Sequence, residues 1–175
     1  LSEASVLNSD IANNKAGGTG GGLFADYQKS LKVGDGTVLA HNEAAFGGGI
    51  YIEDSWQSAV IKRCSIVYNV AHDGGGGGIL WERTPPELGE DVLMDSNIAQ
   101  YGNQIASGIA RLTAALRGAI ITANTEPISP EIRVSIFDNY GNTVRRRNMA
   151  TTVVATIFSE TCMYRDNPCP THESM

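Results

Sequence analysis

What this chain has little of narrows its class before any motif is read. Only 7% of its 175 residues are aromatic and only 6 are proline, so the bulky side chains that fill a thick globular core are scarce. No run of eighteen apolar residues occurs, which leaves no candidate for a membrane-spanning helix. Basic residues number 13 against 19 acidic ones, for a net charge of −6, and neither the first 118 residues nor the remainder offers a basic nucleic-acid surface. No charged and apolar leader opens the chain, and its first residues already read as part of a repeating unit, so the expectation is a segment of a larger protein.

Cysteine is also sparse, with three residues. Cys64 precedes a β-rich stretch and reads as a small buried hydrophobe. Cys162 and Cys169 lie close together in a Pro-containing tail and are candidates for a disulfide outside the cell, with free thiols as the alternative. A zinc site would need further partners, and only His172 is near. Neither a cofactor motif nor a metal-ligand set is read elsewhere.

Glycine is abundant, at 20 residues, and it is phased. Four times an apolar residue, two variable positions, Asn, one variable position and Ala are followed by a stretch closing on an apolar residue. The copies run Ile11-x-x-Asn14-x-Ala16 to Leu23, Leu39-x-x-Asn42-x-Ala44 to Ile50, Ile66-x-x-Asn69-x-Ala71 to Ile79, and Met94-x-x-Asn97-x-Ala99 to Ile105. Successive asparagines are 28, 27 and 28 residues apart. A period of this size marks a solenoid whose units are stabilised by stacking on one another. Glycine and β-branched residues are too frequent for helical repeats, while Val38-Leu39, Cys64 to Val67, Ile50 to Ile52 and Gly78 to Trp81 suit short strands between tight corners. The chain therefore reads as a parallel β-helix of about four coils.

Stacked coils repeat at about 4.8 Å, so equivalent residues should form files along the axis. Ile11, Leu39, Ile66 and Met94 are expected in one interior file, Ala16, Ala44, Ala71 and Ala99 at a crowded corner, and Leu23, Ile50, Ile79 and Ile105 in a third. Asn14, Asn42, Asn69 and Asn97 are expected at corners, because Asn tolerates a left-handed bend and its amide donates and accepts along a stack.

At these residues the chain resembles the repeats of chlamydial polymorphic outer membrane proteins, in which Phe-x-x-Asn is followed by Gly-Gly-Ala-Ile, and related repeats in surface proteins of eukaryotic microbes. Here Ile, Leu, Ile and Met stand in place of Phe, and the fourth copy has lost its glycine run. The resemblance covers about residues 5 to 110. It implies an all-β, right-handed parallel β-helix of pectin-lyase-like type, in an extracellular or cell-surface protein.

Between coils the sequence predicts exposed loops at Asp26 to Lys32, at Glu53-Asp54-Ser55-Trp56 and at Glu82 to Glu90. Glu53, Asp54, Trp56 and Glu82 are the expected contact positions, with Trp56 as a stacking platform or a packing residue. The five glycines Gly74 to Gly78 lack the Gly-Lys-Ser/Thr ending of a phosphate loop. Ile109 to Ala119 is read as a short helix or an irregular last coil, with Leu112, Leu116 and Ile120 closing the stack. The organisation expected is β-helix over 1–118, linker over 119–130 and a second β segment over 131–175. In the last, Val134-x-Ile136-x-Asp138-x-Tyr140-Gly141-Asn142-x-Val144 resembles the opening strands of immunoglobulin-like domains of microbial surface proteins. A strand over Thr151 to Phe158 follows, and Arg145, Arg146 and Arg147 are either a solvated turn or a contact for an acidic partner.

Three functions remain. The first is a rigid structural or adhesive scaffold of a surface protein, whose partners are other chains, further domains of the same protein or surface glycans. The second is a polysaccharide lyase or glycosidase, for which Glu53, Asp54 and Glu82 are the available carboxylates. The third is a subunit of a large filament or complex. The shortage of carboxylates at matching phases, with no Arg or His beside them, places the enzyme behind the scaffold.

Overall fold

The computed structural model describes residues 3–27, 29–54, 57–115 and 133–145, and the backbone of 163–164 and 167–168. Trp56, Arg146, Arg147, Cys162 and Cys169 lie outside these residues. So do Leu116 and Ile120, the 119–130 linker and the strand expected over 151–158.

Every regular element among the described residues is a strand, and the chain winds into a parallel β-solenoid of about four turns. The first coil holds β1 (Glu3–Leu7), β2 (Asp10–Ala12) and β3 (Leu23–Ala25). The second holds β4 (Ser30–Gly34), β5 (Val38–Ala40), β6 (Glu43–Ala44) and β7 (Ile50–Ile52). In the third, β8 (Val60–Lys62), β9 (Cys64–Val67), β10 (Val70–Ala71) and β11 (Ile79–Trp81) repeat that order. The fourth is shorter, with β12 (Glu87–Leu88), β13 (Val92–Asp95) and β14 (Ile105–Ser107). Stacking yields three four-stranded parallel sheets, β1-β4-β8-β12, β2-β5-β9-β13 and β3-β7-β11-β14, and a two-stranded corner of β6 and β10.

Register follows the repeat. Ile11 pairs with Leu39, Leu39 with Ile66 and Ile66 with Met94, while Leu23, Ile50, Ile79 and Ile105 are matched across the third sheet. These residues point inward with Leu31, Val33 and Ile61 into one core. Burial deepens away from the first coil: Ile11 and Leu23 are half-buried, whereas their counterparts in the second and third coils are enclosed.

Two of the expected loops are strands in part. Ser30–Gly34 is β4, and Leu31 is only 2% exposed, so the polar exit loop ends before residue 30. The polar residues around Leu31 and Val33 obscure a period-two pattern that faces the core. Likewise Glu87–Leu88 pairs with β8 and Leu88 packs on the core, which shortens the Glu82 to Glu90 excursion.

Beyond the fourth coil, Ile109 to Ala115 is a strand, β15, and neither a helix nor a coil. It pairs antiparallel with β16 (Arg133–Asp138), and the Arg111 guanidinium lies 5.1 Å from the Phe137 ring centre. Leu112 is exposed and does not close the stack. Strand hydrogen bonding to β16 satisfies this backbone in a way that an isolated seven-residue helix does not. Two short strands, β17 (Met163–Tyr164) and β18 (Asn167–Pro168), pair antiparallel.

Candidate functional site

The repeated asparagines form a continuous chain of amides inside the second corner. Asn14 donates its backbone N–H and Nδ2 to Asn42 Oδ1 at 3.1 and 3.0 Å. Asn42 does the same to Asn69 Oδ1 at 2.9 and 3.0 Å, and Asn69 to Asn97 Oδ1 at 2.9 and 3.1 Å. Each Nδ2 spends its second hydrogen on the preceding coil: Asn42 on Ile11 O, Asn69 on Leu39 O and Asn97 on Ile66 O, at 2.9, 3.0 and 2.8 Å. Asn42 and Asn69 thus make two donations and accept two bonds, the full capacity of an amide side chain. They are 0% exposed, so nothing but protein satisfies them.

The left-handed bend falls one residue earlier than the sequence predicts. Asn13, His41, Tyr68 and Ser96, each preceding a ladder asparagine, have φ between 52° and 59°. The reason is geometric: the bend at the preceding residue turns the next N–H and side chain inward, where both meet the following coil. Such a conformation costs roughly 1 kcal/mol at a residue with a Cβ, comparable to one of the hydrogen bonds it sets up. Outside the corner His41 and Tyr68 stack, with centroids 5.1 Å apart and planes at 4°.

At the fourth coil the ladder is terminated. Asn97 Nδ2 donates to Gln104 Oε1 at 2.6 Å, and Ala99 N donates to Asn103 Oδ1 at 3.0 Å. The two residues that replace the glycine run of this copy therefore supply the amide groups that a fifth coil would have brought. That substitution was visible in the sequence and its role was not.

A second, smaller core lies outside the third sheet, where Tyr51, Leu80 and Ala106 are covered by Tyr101, Phe46 and Val144. It explains the first two of the five glycines, while Gly77 and Gly78 lie against the fourth coil at Ile98, Asn103, Gln104 and Asn97. A Cβ on Gly74 would strike the Phe46 ring, and one on Gly75 the Tyr101 ring. Gly76, at φ 70°, turns the chain into β11. At the Ala corner, Ala44 and Ala71 are buried and Ala16 and Ala99 half-buried.

The motif around Asp138 closes this end. Asp138 is 3% exposed and accepts four hydrogen bonds: from Ser107 N at 3.2 Å, Tyr140 N at 2.9 Å, Asn142 N at 2.8 Å and Asn142 Nδ2 at 2.9 Å. Trp81 Nε1 donates to the Tyr140 hydroxyl at 3.0 Å, Gly141 takes φ 80°, and Val144 N returns to Ile136 O at 2.8 Å. Residues 133–145 are joined in this way to the third and fourth coils.

The predicted contact residues are partly brought together. Backbone bonds Glu53 N to Ala25 O and Glu82 N to Ile52 O extend the third sheet by one residue, so Asp26, Glu53 and Glu82 follow one another at the same phase of three coils. The fourth coil has Gly108 there, with the Glu82 carboxylate over its Cα. Asp54 is paired with Arg83 at 3.5 Å. Arg145 lies elsewhere, beside Gln100, Gly102 and Asn142. On the opposite corner Glu43 takes Lys15 Nζ at 2.9 Å and His72 Nε2 at 3.2 Å, and those hydrogen bonds, Lys15 first, hold its carboxyl below the usual value. Among the described residues no group of three His, Cys, Asp or Glu side chains is placed to hold a metal ion, and no helix is long and apolar enough to cross a membrane. No protein-family model, curated protein or solved structure matches this chain.

Proposed function

We propose that this chain is a structural and adhesive segment of a larger extracellular or cell-surface protein. In this reading the coils form a right-handed β-helix rod carrying repeats of the polymorphic outer membrane protein type. The observation that carries it is the asparagine ladder, which commits the repeated polar residue of every coil to stacking and saturates Asn42, Asn69 and Asn97. A rod so built displays the side chains between its strands at fixed spacing, and of the expected contact positions Glu53, Asp54, Glu82 and Arg145 are among the described residues that would face partner chains, further domains or surface glycans. The stretch from Arg133 onward joins the rod to the immunoglobulin-like module that its motif resembles.

Antibody raised against residues 1–115 tests the placement. Intact, unpermeabilised cells of the source organism should be labelled; labelling that appears only after permeabilisation contradicts it.

One observation favours a second reading, a polysaccharide lyase or glycosidase: Asp26, Glu53 and Glu82 recur at one phase of successive coils. Coils about 4.8 Å apart bring neighbouring carboxylates near the separation of about 5 Å used by retaining glycosidases. Incubation with polygalacturonate and related acidic glycans separates the two, and turnover abolished by Glu82→Ala would reverse the ranking.

A further inference from the structure

The outer face of the first sheet carries a hollow of about 280 Å³ whose lining includes Leu7, Lys32, Gly34, Val60, Lys62 and Arg63. Register creates it. Leu7, Gly34 and Lys62 are matched across β1, β4 and β8, and Ser5, Lys32 and Val60 form the adjacent file. Residues two apart on a strand share a face, so both files point outward while Val6, Val33 and Ile61 between them point into the core. Gly34 leaves the centre of this grid empty. A Cβ there would strike the Lys62 carbonyl oxygen, so the close approach of β8 excludes a side chain at this position.

Its charge is opposite to that of the chain. Among the described residues neither Lys32 nor Lys62 has a carboxylate within ion-pair distance, whereas the Arg63 guanidinium is held by Asp35. Two ammonium groups outside any close ion pair, Lys32 with Glu3 as a more distant neighbour, therefore flank one depression of a protein whose net charge is −6. Beside them stand two apolar side chains, Leu7 and Val60, and the Asp35–Arg63 pair, which both accepts and donates.

We propose that this hollow binds an acidic sugar unit, a pyranose ring carrying a carboxylate or a sulfate. The anion sits between Lys32 and Lys62, the C–H face of the ring lies on Leu7 and Val60, and ring hydroxyls meet Asp35 and Arg63. The volume is just under the roughly 300 Å³ at which small-molecule pockets begin, which suits one ring and not an oligomer. Exposed lysines bind a sugar anion through a screened attraction, so binding falls as salt is raised. The inference rests on the surface reading only for the source of such sugars.

The test is a titration of the ¹⁵N-labelled full chain followed by amide shifts, using glucuronic acid, N-acetylglucosamine 6-sulfate, glucose, sodium acetate and sodium sulfate as separate probes. One or both acidic sugars should move the amides of Leu7, Gly34 and Lys62 saturably, and which one binds more tightly tells carboxylate from sulfate. Glucose should move none of them. Affinity should drop at least about threefold when the ionic strength is raised from low to physiological, and the Lys32→Gln, Lys62→Gln double variant should lose the response with its remaining spectrum unchanged. The proposal is overturned by the absence of a saturable response, by an equal response to glucose, by the same shifts with acetate or sulfate alone, or by a response that survives in the double variant. Each of these leaves cell-surface labelling untouched, so failure of the hollow is distinct from failure of the rod.

Discussion

Asn42 is tied to Asn69 twice through a single oxygen: its backbone N–H and its Nδ2 both donate to Asn69 Oδ1, at 2.9 and 3.0 Å. Removing the Asn69 side chain therefore strands two donors of the coil before it, and takes the Nδ2 donation from Leu39 O and from Asn97 Oδ1, the latter keeping its bond from Asn69 N. A buried polar group left without a partner costs about 1–3 kcal/mol. Asn69→Ala should cost about 3 kcal/mol or more, and Asn14→Ala, at an exposed end, under about 1 kcal/mol. Urea unfolding of the two variants measures the difference. Equal losses would mean that the ladder carries no special weight.

The glycine run should be intolerant for a packing reason. Gly74→Ala pushes a methyl group into the Phe46 ring, and overpacking of this kind costs about 1–3 kcal/mol. Phe46→Ala removes the obstacle, so the double variant should be more stable than the sum of the two single losses by about 1 kcal/mol. Additive losses in a denaturation cycle would place the cost of Gly74→Ala elsewhere.

Asp138→Asn should release the end of the solenoid without melting it. The replacement turns an NH₂ group toward N–H donors that now reach a carboxylate, for a cost of about 3 kcal/mol. Hydrogen exchange should accelerate over 133–145 and in β15, while β5, β7, β9 and β11 keep their protection. Uniform acceleration through all the coils would show that the cap and the rod are one cooperative unit.

Burial, and secondarily the charge of Asp91, pushes the Cys64 thiol up from 9.0 to about 11. Because the folded chain holds its proton more tightly than the unfolded chain, this contribution to stability is complete below about pH 9 and is lost as the pH rises toward 11. In a Cys162→Ser, Cys169→Ser background, a thiol reagent at pH 8 should leave the native protein unmodified and react on addition of denaturant. Prompt reaction of the native protein would contradict the burial.

The repeat made the solenoid legible, because a phased apolar-x-x-Asn file has few other physical solutions. Legibility failed where one residue serves two coils. Leu31 and Val33 are core residues set among Ser30, Lys32 and Gly34, and a three-residue alternation is too short to stand out from a polar loop. The bend at His41 and Tyr68 was assigned to the neighbouring asparagine, since propensity names the residue that tolerates φ > 0 and not the one that tertiary hydrogen bonding forces there. The sequence excludes a phosphate loop at the glycine run but gives no positive reason for Gly74 and Gly75, because the rings that crowd them, Phe46 and Tyr101, come from the coils on either side. The basic hollow was invisible for the same reason: Lys32 and Lys62 are thirty residues apart in sequence and meet only through register.

The measurement that bears most directly on the stacked coils is scalar coupling across the ladder hydrogen bonds, detected between the backbone ¹⁵N of one asparagine and the side-chain ¹³Cγ of the next. Couplings should connect Asn14 to Asn42, Asn42 to Asn69 and Asn69 to Asn97, with slow exchange of the Asn42 and Asn69 amides. Absence of all three couplings, with those amides exchanging as fast as exposed ones, would contradict the solenoid.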